Sequence, residues 1–224
     1  MERVASEDDG TMPKPKRKSK RLILIAIPAV FMILAVGAIS LFYFISNEQQ
    51  LDRILNGSIS GFAPNEIPAE YIPIYQEAAD EFDIPWELLA AVHRVETRFS
   101  TMDPMVSPAG AEGPMQFMPC TWFGWSHPTC EGNGAGEIPS NVLTDPEQIE
   151  IHGGYGMDVQ DKGVADPWDH EDAIYAAARY LASNGAANGE IEEALFAYNR
   201  ADWYVEEVIT YVEAYDNDGY EVIN

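Results

Sequence analysis

The sequence predicts a mainly α-helical domain of roughly 150 residues carried behind one membrane-spanning helix. Three observations point there. Apolar side chains recur at spacings of three and four in several windows after residue 68, no stretch alternates with period two, and one long uncharged apolar run lies near the N-terminus. The chain has 224 residues, 46% of them apolar, which is ample for a core. Its 13 Lys and Arg stand against 37 Asp and Glu, a formal charge of −24. Residues 1–21 hold seven of the bases against four acids, so the remainder sets six bases against 33 acids. Such a surface repels phosphate backbones and excludes a nucleic-acid reader. Two cysteines are too few for a disulfide-dense miniprotein.

The elements follow in order. Residues 1–21 are a basic tail. Residues 22–45, LILIAIPAVFMILAVGAISLFYFI, carry no charge over 24 positions, enough helix at ~1.5 Å per residue to cross a ~30 Å hydrocarbon layer. The run exceeds the core of a signal peptide, and no small-x-small cleavage site follows it. The basic cluster KPKRKSKR just before it sets the N-terminus in the cytoplasm and the rest on the outer face of the cell membrane, where disulfides persist. Residues 46–67 read as a linker.

The folded domain is expected over 68–216, with 217–224 as a tail. Tyr71, Ile74, Tyr75, Ala78, Ala79 and Phe82 make one helical face over 69–82. Asp83 suits an N-cap or its neighbourhood and Pro85 the first turn of a second helix, whose stripe is Leu88, Leu89, Val92, Val95 and Phe99. Residues 100–168 are rich in Gly and Pro and read as a loop-rich middle with short helices. Helix returns at 171–182, closed by the SNG turn at 183–185, and again at 190–198 and 203–215.

Glu96 is the anomaly. It lies seven after Leu89, four after Val92 and three before Phe99, in line with apolar side chains. Two readings stand: a buried acid whose pKa is raised, fit to donate a proton near neutrality, or an edge carboxylate paired with a neighbouring base.

Four segments bear on the choice: DIPWELLAAVHRVETRFS (83–100), SPAGAEGPMQFMPCTW (107–122), DPWDHEDAIYAAARYLASNGA (166–186) and ALFAYNRADWYVEEV (194–208). In this order they closely resemble the lytic transglycosylases of the lysozyme-like superfamily, over roughly residues 68–215. The resemblance implies a lysozyme-like fold, no cofactor or metal, and peptidoglycan glycan strands as the partner. It implies cleavage of the β-1,4 bond between N-acetylmuramic acid and N-acetylglucosamine, with a 1,6-anhydromuramoyl product. Glu96 falls on the family's catalytic acid. Gly113, Met115 and Gln116 fall in its G-x-x-Q turn, where the glutamine lines the sugar groove. Tyr198 and Asn199 match its A-Y-N signature, whose tyrosine hydroxyl lies beside the catalytic carboxyl. Arg200 departs from the pattern, since many relatives have glycine or histidine there.

In that chemistry the single glutamate serves both proton transfers. A hydrolytic muramidase would need a second acid, for which Asp103, Glu112 and Asp166 are candidates, and a catalytically silent glycan-binding module is a third reading. Cys120 and Cys130, with nine residues between them in a turn-rich segment, are expected to bond in an oxidising compartment; a zinc site built on them with His127 lacks a fourth ligand. The stretch 158–169 invites an EF-hand comparison, with Asp158, Gln160, Lys162, Gly163, Asp166 and Asp169 at loop positions, but Lys162 puts a cation where a ligand belongs. His93 is expected exposed or packed rather than catalytic. Trp122, Phe123, Trp125, Tyr155 and Trp203 are candidates for stacking on sugar faces.

Overall fold

The computed structural model describes residues 62–217 and 219–224. The basic tail, the apolar run at 22–45 and most of the expected linker lie outside the described residues. Among the described residues, no helix is long and apolar enough to cross a membrane.

The described residues form a mainly helical domain, with eight α-helices and one small sheet among them. Helix α1 (Ile72–Phe82) ends where Asp83 turns left-handed at φ 54° and returns its N–H to the Ala79 carbonyl. Asp83 therefore closes α1 and stands two residues before the N-cap of the next helix, in the neighbourhood expected for it but without capping that helix itself. Pro85, extended at ψ 131°, holds the N-cap of α2 (Trp86–Thr97) instead. Three short helices, α3 (Pro119–Phe123), α4 (Ser140–Leu143) and α5 (Pro146–His152), punctuate the loop-rich middle. Helix α6 (His170–Ser183) is capped by the Asp169 carboxylate, which accepts from the Glu171 and Asp172 amides. Helices α7 (Ile191–Tyr198) and α8 (Asp202–Asn217) complete the bundle.

Helix α2 lies at the centre, packed along α8, α1 and α6. Leu88, Leu89 and Val92 are fully buried against Ile174, Leu181, Leu195 and Val208. Each such side chain contributes about 1.5 to 3 kcal/mol relative to exposure.

The sheet pairs β1 (Glu66–Pro68) in parallel with β2 (Glu221–Ile223), Ile67 opposite Val222. Residues read as the end of a linker and as a tail are thus joined to each other. Arg94 reinforces the join: its buried guanidinium donates to the Phe62 and Glu66 carbonyls at 3.2 Å each and lies 4.3 Å from the centre of the Tyr211 ring on α8. Neither strand is visible in sequence, because three residues are too few to establish a period.

Candidate active site

The last turn of α2 carries Glu96, and the chain just beyond it is strained. Arg98, Phe99 and Ser100 all have positive φ, 54°, 55° and 62°. Such conformations cost L-residues of order 1 to 3 kcal/mol each and persist only when the surroundings impose them. Here Phe99 is buried, and the Thr97 hydroxyl donates to the Pro114 carbonyl at 2.7 Å while accepting from the Ser100 amide. The end of α2 is thereby tied to the glycine turn.

That turn is built by reciprocal backbone bonds between Glu112 and Phe117, at 2.9 and 3.0 Å. Gly113, at φ +76°, is required by close approach: a β-carbon there would lie 1.9 Å from the Pro167 carbonyl oxygen. Gln116 sits at φ 50° and spends its amide nitrogen on the Met105 and Gly113 carbonyls, so its side chain offers a ligand its Oε1. Met115 is buried, and its carbonyl accepts the Tyr198 hydroxyl at 2.7 Å.

Glu96 is half-buried, and desolvation of its carboxyl pushes its pKa from 4.5 up to about 7. Interaction with the Tyr204 hydroxyl opposes the rise without cancelling it. The Tyr204 hydroxyl is itself buried and meets no acceptor in good hydrogen-bond geometry, and after burial the Glu96 charge is the largest influence on it, with Glu207 a smaller one. The phenols of Tyr198 and Tyr204 stack in parallel, 6.4 Å between ring centres, and both feel the Glu96 charge. No second carboxylate figures among the groups that perturb Glu96, and among the described residues Glu96 joins no ion pair. The ion pair that the edge-carboxylate reading expects is thus absent among the described residues.

Tyr198 also lines a groove of about 350 Å³ together with Gln116, Phe117, Trp125, Tyr180 and Arg200. Glu96 does not itself line this groove; Tyr198 is the residue shared between the two. Asn199 ends α7 in an extended conformation and accepts the Ala201 amide on its carbonyl. The Cys120–Cys130 disulfide is formed. It closes the loop bearing Trp125, 51% exposed, whose ring rests on Gly134. The cysteines are therefore not metal ligands.

Other candidates fall elsewhere. Trp122 and Phe123 are core residues, 1% and 0% exposed, and cannot stack on a sugar. Tyr155 packs edge-on against Tyr180 at 4.7 Å, and Trp203 lies half exposed beside Tyr204. Asp103 is exposed, and Asp166 accepts the Trp168 amide. In the 158–169 loop Asp158 accepts the Lys162 and Gly163 amides, and Lys162 pairs with Asp169 at 3.2 Å. The loop is organised from beneath by Asp172, which is buried and accepts the Val159 and Asp166 amides. Its acids thus serve the backbone. His93 is fully buried between the Tyr75 hydroxyl (2.7 Å) and the Ser100 hydroxyl (2.8 Å), its pKa lowered to about 3 by burial and by His170.

Sequence reasoning missed Tyr204 and Thr97. Tyr204 shows only as an apolar helix position, and a hydroxyl that lacks a partner leaves no trace in a pattern. Searches against protein families, curated proteins and solved structures find no match for this chain.

Proposed function

We propose that this domain is a lysozyme-like lytic transglycosylase that cleaves peptidoglycan glycan strands at the outer face of the cell membrane, with Glu96 as general acid and then general base. The observation that carries the reading is the Glu96 carboxyl raised to about 7, which lets it hold a proton near neutral pH and give it up readily. Protonation of the bridging oxygen between N-acetylmuramic acid and N-acetylglucosamine opens the bond and leaves positive charge at the anomeric carbon. The substrate's acetamido oxygen stabilises that charge. The resulting Glu96 carboxylate takes the proton from the C6 hydroxyl as its oxygen closes on the anomeric carbon, giving a 1,6-anhydromuramoyl end without consuming water.

A two-carboxylate hydrolase needs its second acid within about 5 to 9.5 Å across the scissile bond. Of the second acids the sequence offers, Asp103 is exposed and Asp166 is engaged by the Trp168 amide, which supports the single-acid route. The disulfide supports an oxidising compartment, and Tyr198, Gln116 and the exposed Trp125 supply polar and stacking contacts for sugars. The test compares Glu96→Gln with Glu112→Gln on purified peptidoglycan. Turnover falls by at least about 10² to 10⁴ in the first and little in the second. Full activity in Glu96→Gln refutes the assignment.

A further inference from the structure

Over residues 62–224 five bases are set against 31 acids. Arg200 is the one base among them that lines the groove. The other polar groups there, on Gln116, Thr121, Asn133 and the two tyrosines, are neutral. Arg200 is exposed, stands directly after the Tyr198–Asn199 pair, and holds its guanidinium 6.0 Å from the centre of the Phe196 ring. Among the described residues the ion pair is Lys162–Asp169, and Arg200 has none. Its charge reaches the phenol of Tyr180, a residue that lines the same groove and whose hydroxyl donates to the Ala197 carbonyl.

A lone cation in an otherwise neutral groove discriminates between ligands that are alike except in charge. The acidic exterior repels anions at a distance, so attraction here acts only once a strand is seated. A planar guanidinium then offers two parallel N–H donors to a carboxylate, a geometry that a lysine cannot reproduce. In a muramyl glycan the carboxylates lie on the lactyl arm: on the lactyl group itself where the peptide has been removed, and on the stem peptide where it is present.

We infer that Arg200 is a specificity residue, selecting glycan strands whose muramyl arm presents a carboxylate. This rests on the glycan reading of the groove, and the test separates the two. The full chain carrying Glu96→Gln binds strands without turning them over. Its affinity is measured by calorimetry for peptide-free strands and for peptide-bearing strands, each before and after conversion of the carboxylates to methylamides.

The native strands of at least one type bind about 3- to 10-fold more tightly than their methylamides, and the type that does so identifies the lactyl or the peptide source. Adding Arg200→Gln brings that ratio to about one, Arg200→Lys restores part of it, and raised salt reduces it in the parent. Equal binding of charged and neutral strands by the parent, or a ratio that survives Arg200→Gln, overturns the role of Arg200 and leaves the glycan site standing. Binding of none of the strands overturns both.

Discussion

The Tyr198 hydroxyl donates to the Met115 carbonyl at 2.7 Å, joining residues 83 positions apart and fixing the end of α7 to the glycine turn. Because that proton is committed to a carbonyl, the Tyr198 hydroxyl does not donate it to Glu96, whose charge it nonetheless feels. The carboxyl is left in surroundings that favour its protonated form.

Tyr198→Phe therefore removes a structural bond before any chemical one. The Met115 carbonyl, buried, loses its partner, and stability falls by about 1 to 3 kcal/mol in denaturant unfolding. Turnover of glycan falls as well, because the turn presenting Gln116 loosens. Unchanged stability would show that the bond contributes nothing.

Gly113→Ala places a β-carbon 1.9 Å from backbone that has no room to move. The cost exceeds about 3 kcal/mol, from the clash and the positive φ together. Gly163→Ala is the control: its φ is also positive, +78°, but nothing lies within 4 Å, and it costs only about 1 kcal/mol. Equal melting temperatures for the two variants contradict the packing described.

Glu96 also gives stability a pH dependence whose sign is fixed. Its folded pKa, about 7, lies above the ordinary 4.5, so between these values the folded chain holds a proton that the unfolded chain has released. Its contribution is fully present below 4.5 and is lost as pH rises through 7. Glu96→Gln lacks the dependence, so from pH 5 to pH 8 the variant gains about 2 to 3 kcal/mol relative to the parent. Buried His93 acts with the opposite sign, its depressed pKa costing stability as pH falls below 6.5, but it is common to both proteins and cancels in the difference. A constant difference across this range means that the Glu96 pKa is not raised.

The long helices were legible because their apolar residues repeat with the helical period: the stripe through Leu88, Leu89 and Val92 faces the core as its spacing requires. The position of Glu96 on that stripe was legible for the same reason. At Asp83 the sequence is ambiguous, because aspartate suits both the start of a helix and a left-handed turn, and the structure uses it for the turn. The stack of Tyr198 on Tyr204, the tie from Thr97 to Pro114 and the sandwich around His93 depend on segments brought together by the fold. Nothing local in the sequence encodes them. Trp122 and Phe123 show the converse: an aromatic in a loop-rich segment looks available until the burial of α3 removes it.

On the proposed mechanism Glu96 alone cleaves the glycan with ring closure. The most direct measurement is mass spectrometry of the products when the full chain digests purified peptidoglycan in water labelled with heavy oxygen. Cleavage by Glu96 alone yields fragments that end in 1,6-anhydromuramic acid, lighter by one water than the hydrolytic product and free of label. Reducing muramic ends carrying heavy oxygen would contradict it, because they require a second group to activate water.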